Sequence, residues 1–268
     1  MNHPATRRID GGMTLLAQEM ERLAAIMARL RAEGGCPWDR EQTHETLKPY
    51  LIEEAYEVIE AIDASAVDKL REELGDVLLQ VVFHAQVAVE AGEFDLAAVA
   101  KTIADKLVRR HPHVFGETPV DGVAGVLANW ERIKGHEYAE ERTSILSGMP
   151  AALPALMRAE KTQAKAARVG FDWPDVSGAL VKVEEEMEEF REVLAEADAR
   201  RDRLREEFGD LLFALVNVAR YLEIDAEDAL RQTVDKFCRR FRYIEEKAKD
   251  QGRELTTMTL AEMDAIWE

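Results

Sequence analysis

One acidic pattern is written twice in this chain. The first copy runs Glu53-Glu54-Ala55-Tyr56-Glu57 and then Leu70-Arg71-Glu72-Glu73-Leu74-Gly75-Asp76. The second runs Glu185-Glu186-Met187-Glu188-Glu189 and then Leu204-Arg205-Glu206-Glu207-Phe208-Gly209-Asp210. In a chain of 268 residues, a repeat at this range specifies two homologous domains rather than a solenoid of short units. Each half is near the usual domain size and can bury a core of its own, with or without help from a dimer partner. Only 8 prolines and 15 glycines interrupt long stretches rich in Ala, Leu, Glu and Arg, and no stretch sustains the two-residue alternation of a strand. The expected fold is therefore all-α, with two tandem helical domains.

Punctuation along the chain sets the expected boundaries. Residues 1–12 are polar, end in Gly11-Gly12 and read as a loose tail. Residues 13–135 form the first domain, 136–155 a connection containing Gly148, Pro150 and Pro154, and 156–268 the second domain. In the first domain, Leu15, Leu16, Leu23, Ile26, Met27 and Leu30 keep helical spacing up to Gly34-Gly35. A second helix carries Leu51, Ala55, Val58 and Ile62 on one stripe, and Ser65 with Asp68 resembles a capping arrangement before a third. A fourth runs from Leu96 to Arg110, ended by His111-Pro112-His113, and Val126 to Lys134 makes a short one. In the second domain, helices are expected over Leu156–Val169, Val181–Glu196, Arg203–Tyr221, Ala226–Asp250 and Leu260–Trp267.

Helix geometry gives the acidic pattern chemical meaning. Glu53 and Glu57 are four apart, and Glu54 and Glu57 three apart, so they occupy neighbouring rows of one face. Glu73 and Asp76 are also three apart. Two such helices packed with these faces opposed gather four or five carboxylates, whose repulsion something must neutralise. Oxygen-only donors favour Mg²⁺, with Mn²⁺ as a substitute, over zinc. The bland alternative is a pair of solvated, salt-bridged helix faces, but two registered copies argue against it. A di-iron carboxylate bundle needs paired Glu-x-x-His motifs, and the chain offers only Glu41–His44. Gly75 and Gly209 interrupt otherwise strong helices at about 1 kcal/mol each, which suggests close approach of a neighbouring helix or a ligand.

Charge and cysteine usage narrow the function classes. A net charge of −18 disfavours duplex DNA and anionic membranes as partners. Cys36 and Cys238 have no metal-ligand spacing and fit a reducing compartment. No segment has signal-peptide form, and the longest apolar run, Leu211 to Val216, stops at Asn217, so a soluble cytoplasmic protein is expected. Lys106 with Arg110, and Lys236 with Arg240, sit four apart in matching segments, either to hold phosphates or to balance charge. Trp130 and Trp267 close their halves in matching Trp-Glu pairs, either stacking on a base or packing a core. His111 and His113 flank Pro112 and read as structural.

Taken together, these residues resemble the MazG family of nucleoside triphosphate pyrophosphohydrolases, in the all-α NTP pyrophosphatase superfamily. The resemblance rests on Gly35-Cys36-Pro37-Trp38-Asp39, both acidic motifs, Arg109 through Gly116, Gly170-Phe171-Asp172-Trp173 and the Lys236–Arg240 cluster, and covers nearly the whole chain. It implies helical-bundle domains with four-helix-bundle-like cores completed in a homodimer, and Mg²⁺-dependent hydrolysis of nucleoside triphosphates to monophosphate and pyrophosphate. It implies that Glu186, Glu189, Glu207 and Asp210 hold Mg²⁺ in the second half, with Glu54, Glu57, Glu73 and Asp76 matching in the first. Glu185 and Glu53 become water-orienting candidates. Lys161, Lys182, Lys236 and Arg240 match positions that hold the triphosphate, and Trp267 the position beside the base. The halves differ: Tyr50 stands where the second half has Lys182, and Phe83 where it has Asn217. The second half is thus expected to be the main active site. A narrower enzyme of the superfamily, acting on dUTP or phosphoribosyl-ATP, and a non-catalytic acidic binding module are the rivals.

Overall fold

Helices account for all the regular structure in the computed structural model, which describes residues 12–137, 144–196 and 200–267. Residues 1–11 of the expected tail, 138–143 of the connection and Glu268 lie outside the described residues. The chain divides into two units, Met1–Glu137 and Tyr138–Glu268. The first holds α1 (Gly12–Arg31), α2 (Pro37–Glu41), α3 (Lys48–Asp63), α4 (Val67–Ala91), α5 (Leu96–Arg110), α6 (Pro112–Phe115) and α7 (Gly122–Glu137). The second holds α8 (Ala155–Ala167), α9 (Val176–Ala195), α10 (Arg201–Tyr221), α11 (Ala226–Asp250), a 3₁₀ turn (Leu255–Thr257) and α12 (Leu260–Trp267). No strand occurs among the described residues.

Local chemistry sets several helix starts. Asp95, Asp175 and Asp225 each accept a hydrogen bond from a backbone N–H in the first turn that follows, satisfying a donor the helix itself leaves open. The cap at Asp175 starts α9 five residues before the position its apolar spacing alone indicates. The Ser65–Asp68 arrangement does not form. Ser65 adopts φ 52°, and Ala66 precedes α4 with no side-chain cap. The turn closes through the backbone instead, with Ala66 N–H donating to the Ala61 carbonyl at 3.0 Å. At the end of α8, Gly170 has φ +86°, and Phe171 N–H reaches back to the Ala166 carbonyl.

Each unit is organised around one long helix pair, α3 with α4 and α9 with α10, and each pair has a preceding helix against it, α1 on α4 and α8 on α10. In the first unit Met27, Leu47, Val82 and Phe83 are buried together, with Leu23, Leu30 and Leu78 around them. In the second, Ala179, Val193, Leu211, Ala214 and Val216 supply the buried positions of the pair. The α3 stripe is not buried within the chain: Leu51 and Ile62 remain 40% and 55% exposed. Phe208, Leu212 and Leu215 of α10 are likewise exposed. Among the described helices α4 alone is long and apolar enough to suit a membrane span, yet it carries Glu73 and Asp76 and packs on α1 and α3.

One ion cluster ties α5 to α7. Glu137 accepts from Arg109 Nε at 2.6 Å and from Arg110 Nε at 3.0 Å, and Arg110 is buried. The hydrogen bonds from Arg110, and then those from Arg109, pull the Glu137 carboxyl down to about 2. A carboxyl depressed in the fold stabilises it above the ordinary carboxylate range, and that contribution is lost as pH falls through about 2. Glu137→Gln therefore destabilises the first unit by about 2–3 kcal/mol at pH 7. Scanning calorimetry should show this difference shrinking toward zero as pH approaches 2.

Candidate metal centre

Two helices contribute to each acidic cluster. In the first unit Glu54 and Glu57 from α3 and Glu73 from α4 bring carboxylate oxygens within 4.8 Å of one another. In the second, Glu186 from α9 meets Glu207 and Asp210 from α10 within the same distance. The periodicity explains the convergence: acids three or four apart share a helix face, and the paired helices turn those faces inward. Glu73 and Glu186 are buried, at 1% and 6% exposure. The two expected fourth members, Asp76 and Glu189, fall outside the tight groups but act on them electrostatically.

Crowding disfavours full ionisation. Burial, then Asp76 and Glu53, raise the Glu54 carboxyl, while Glu73 is the main cause of the rise at Glu57. Burial, followed by Glu186, raises Glu189. Among the described residues, one lysine contacts each cluster, from different helices. Lys69 of α4 contacts Glu73 in the first unit. Lys182 of α9 lies 2.7 Å from Glu186 and 3.0 Å from Glu185 in the second. Those contacts, Glu186 first, raise the Lys182 ammonium above its usual range. When ionised, three carboxylates against one ammonium leave two negative charges, on oxygen donors alone. That set fits a hard divalent cation and gives no preference for zinc. Sequence reasoning missed Lys69, although its place four residues before Glu73 was a readable signal.

The remaining candidates are distributed more widely. Glu53 and Glu185 are exposed beside their clusters. Lys161 is exposed on α8, and Lys236 and Arg240 are exposed on α11. No ion pair joins these three cations to the carboxylates among the described residues. Arg240 instead lies over the Trp267 ring at 5.3 Å, and Phe237 packs on the same ring at 5.0 Å. Trp130 has a different neighbour, His111, at 6.1 Å, so the two matching Trp residues are not equivalent in surroundings. Space opens at Gly75 and Gly209: a Cβ added there would meet nothing within 4 Å. The close helix approach expected at these glycines is therefore not made within this chain.

The units diverge next to the clusters. In the first, Tyr50 meets Trp38 edge-on at 5.7 Å, Trp38 meets Phe83 at 6.5 Å, and Arg31 lies over the Phe83 ring at 5.4 Å. In the second, Lys182 and Asn217 replace the two rings, and Asn217 Oδ1 accepts from Arg220 Nε at 3.0 Å. Asp172 accepts from Arg220 Nη2 and from the Tyr221 hydroxyl, both at 2.6 Å. Asp172, Arg220 and Tyr221 were not singled out as interacting residues from sequence, because a contact across 48 positions has no local signature.

Comparison with known proteins agrees with this architecture. The MazG nucleotide pyrophosphohydrolase domain matches twice, over residues 42–115 and 177–244. A nucleoside triphosphate pyrophosphohydrolase/pyrophosphatase MazG of Thermotoga maritima is 48% identical over 248 residues, covering 92% of this chain and 94% of the relative. A nucleoside triphosphate pyrophosphohydrolase of Escherichia coli K12 is 48% identical over 252 residues, covering 93% and 96%. One of the same name from Mycobacterium tuberculosis is 41% identical over 180 residues, covering 63% of this chain and 54% of the relative.

Like-charge crowding makes a prediction with a definite sign. Glu57 has its carboxyl raised in the fold, so its favourable contribution is present at low pH and is lost as pH rises through that raised value. In EDTA at pH 7, Glu57→Gln should raise the thermal midpoint. The gain should narrow as the parent is acidified below the ordinary carboxylate range.

Proposed function

The chain belongs to the MazG nucleotide pyrophosphohydrolase family, and we propose that it hydrolyses nucleoside triphosphates, ribo and deoxy, to nucleoside monophosphate and pyrophosphate. The observation that carries this reading is the group formed by Glu186, Glu207 and Asp210, set between two helices in a chain matched over most of its length by relatives of that name. Glu186, Glu189, Glu207 and Asp210 would hold Mg²⁺, or Mn²⁺ in its place, with Glu54, Glu57, Glu73 and Asp76 in the corresponding roles of the first unit. Bound there, the cation supplies charge neutralisation at the phosphates and lowers the pKa of a water.

The rest falls to side chains of the protein. Glu185 accepts a proton from the attacking water and orients it, and Glu53 is its counterpart in the first unit. The water attacks the α-phosphorus in line, the α–β bridging bond breaks, and pyrophosphate leaves with its charge met by Lys161, Lys236 and Arg240. Lys182, already bound to Glu185 and Glu186, releases one of these contacts to a phosphate oxygen. No Ser, Cys or His nucleophile is needed. The second unit is the main active site, because Tyr50 and Phe83 leave the first without the matching polar groups. The protein acts as a homodimer in the cytoplasm. The exposed Leu51, Ile62, Phe208 and Leu215 on the acidic helix pairs support association through these faces.

The test is pyrophosphate release from the eight common NTPs and dNTPs, with Mg²⁺ and with EDTA, with identification of the nucleotide product. Mg²⁺-dependent monophosphate formation from several bases is expected. A diphosphate product with orthophosphate would sink the proposal, and one strongly preferred substrate would narrow it to a specialised enzyme. Glu189→Gln should lower turnover by at least about 100-fold, since even residues that only support metal ligands cost 10–100-fold. Glu57→Gln should cost less than Glu189→Gln.

A further inference from the structure

Two histidines from separate segments of the first unit converge. His44 lies in the turn between α2 and α3, and His84 lies on α4. Their Nδ1 atoms stand 2.7 Å apart, and the rings are nearly parallel, with 11° between planes and 5.0 Å between centroids. Both side chains are half-buried. His44 belongs to the one Glu-x-x-His of the chain, and its partner histidine comes from forty positions away rather than from a repeated motif.

The fold does not require an imidazole on α4. Val218 stands at the repeat position of His84, directly after Asn217 as His84 follows Phe83, so the second unit builds the same helix with an aliphatic side chain. The backbone that carries His44 is held on both sides. Arg31 Nη1 donates to the Gln42 carbonyl at 3.0 Å, Thr43 N–H donates to Thr46 Oγ1 at 2.9 Å, and Leu47 is buried. His84 sits between Phe83 and Ala85, both buried. Burial, and then His44, lower the His84 imidazole below its ordinary range, so it is uncharged at neutral pH and has a lone pair to give.

A hydrogen bond between two Nδ1 atoms needs a proton on one and a lone pair on the other. A divalent cation can take the place of that proton, once the protonated ring carries its proton on Nε2 instead. Bonds of about 2.0–2.1 Å meeting near the tetrahedral angle hold two nitrogens about 3.3 Å apart, so the rings need to part by only about 0.6 Å. Imidazole nitrogen suits zinc, copper or nickel rather than magnesium, the reverse of the oxygen-only clusters. Among the described residues no third Cys, His, Asp or Glu closes within 4.8 Å of both rings. Water therefore completes the coordination, which makes an open, exchangeable site rather than a closed structural one. Glu41 and Glu45 are exposed near His44 along the chain and favour the approach of a cation.

We infer that His44 and His84 bind a divalent transition-metal ion of the zinc class through their Nδ1 atoms, at a site separate from the carboxylate clusters. The ion ties the segment leading into α3 to α4. The site is confined to the first unit, since residues 138–268 contain no histidine. It is independent of nucleotide hydrolysis.

The test uses the full-length protein, freed of metal with EDTA and dialysed into excess Mg²⁺. Calorimetric titration with Zn²⁺ should show one equivalent that Mg²⁺ does not displace. Its affinity should fall at least about ten-fold in His84→Val and in His44→Gln, since even groups behind a metal ligand cost 10–100-fold. It should persist in Glu57→Gln and Glu189→Gln. His84→Val copies the second unit, and a thermal midpoint in EDTA close to the parent's shows that it folds. Nitrogen-15 resonances of the parent's histidines give a reading that needs no folded variant at position 84: Zn²⁺ should move two Nδ1 signals together, one of them the signal missing in His44→Gln. Nδ1 signals that stay in place overturn the inference. So do Zn²⁺ affinities unchanged in both histidine variants, or lost only in the carboxylate variants.

Discussion

Carboxylates forced together between two helices are the constraint around which each unit is arranged. Glu73 and Glu186 are withdrawn from solvent, where a charge is expensive, and two more acids are then brought within 4.8 Å of each. Lys69 in one cluster and Lys182 in the other offset part of that repulsion. Crowding also raises the carboxyls of Glu54, Glu57 and Glu189, while α1 packs on α4 and α8 on α10. Stiff helices suit this task. Their backbone hydrogen bonds are internal, so like charges on their faces do not unravel them, and the apolar positions of the same helices keep the pairs joined.

The two units show what this scaffold leaves free to vary. The acids keep their register, while the counter-lysine moves from α4 in one unit to α9 in the other. At the corresponding positions of the first unit, Trp38 meets Tyr50 and Phe83 edge-on. The second has instead a polar relay running from Asp172 through Arg220 to Asn217, on the wall of a cavity. The divergence lies in a few side chains on a common backbone plan.

Much of the fold was legible along the chain. Leu96–Arg110, Ala226–Asp250 and Leu260–Trp267 form helices with the bounds that periodicity and flanking residues indicate. Elsewhere, capping decided the ends: Asp175 extends α9 toward the amino terminus, and Ser65 turns through a positive φ instead of capping α4. The acidic residues were legible because helical spacing makes faces predictable, and the structure gathers three from each set at close range. Lys69 escaped notice among many surface lysines, although it lies on the same α4 face as Glu73.

By itself the sequence determined that the protein is a helical duplication with a registered set of acids in each half, because period, punctuation and repetition are local properties of a chain. Tertiary structure decided which acids lie closest, which lysine faces them, and that Gln163, fifty residues from Phe213, holds a buried amide with one atom unsatisfied. It also decided that Trp38, Tyr50 and Phe83 meet in one half, where Asp172, Arg220 and Asn217 are hydrogen-bonded in the other. The physical reason is that repulsion, desolvation and cavity shape depend on distances across helix pairs, and those distances are fixed only when side chains far apart in the chain pack together.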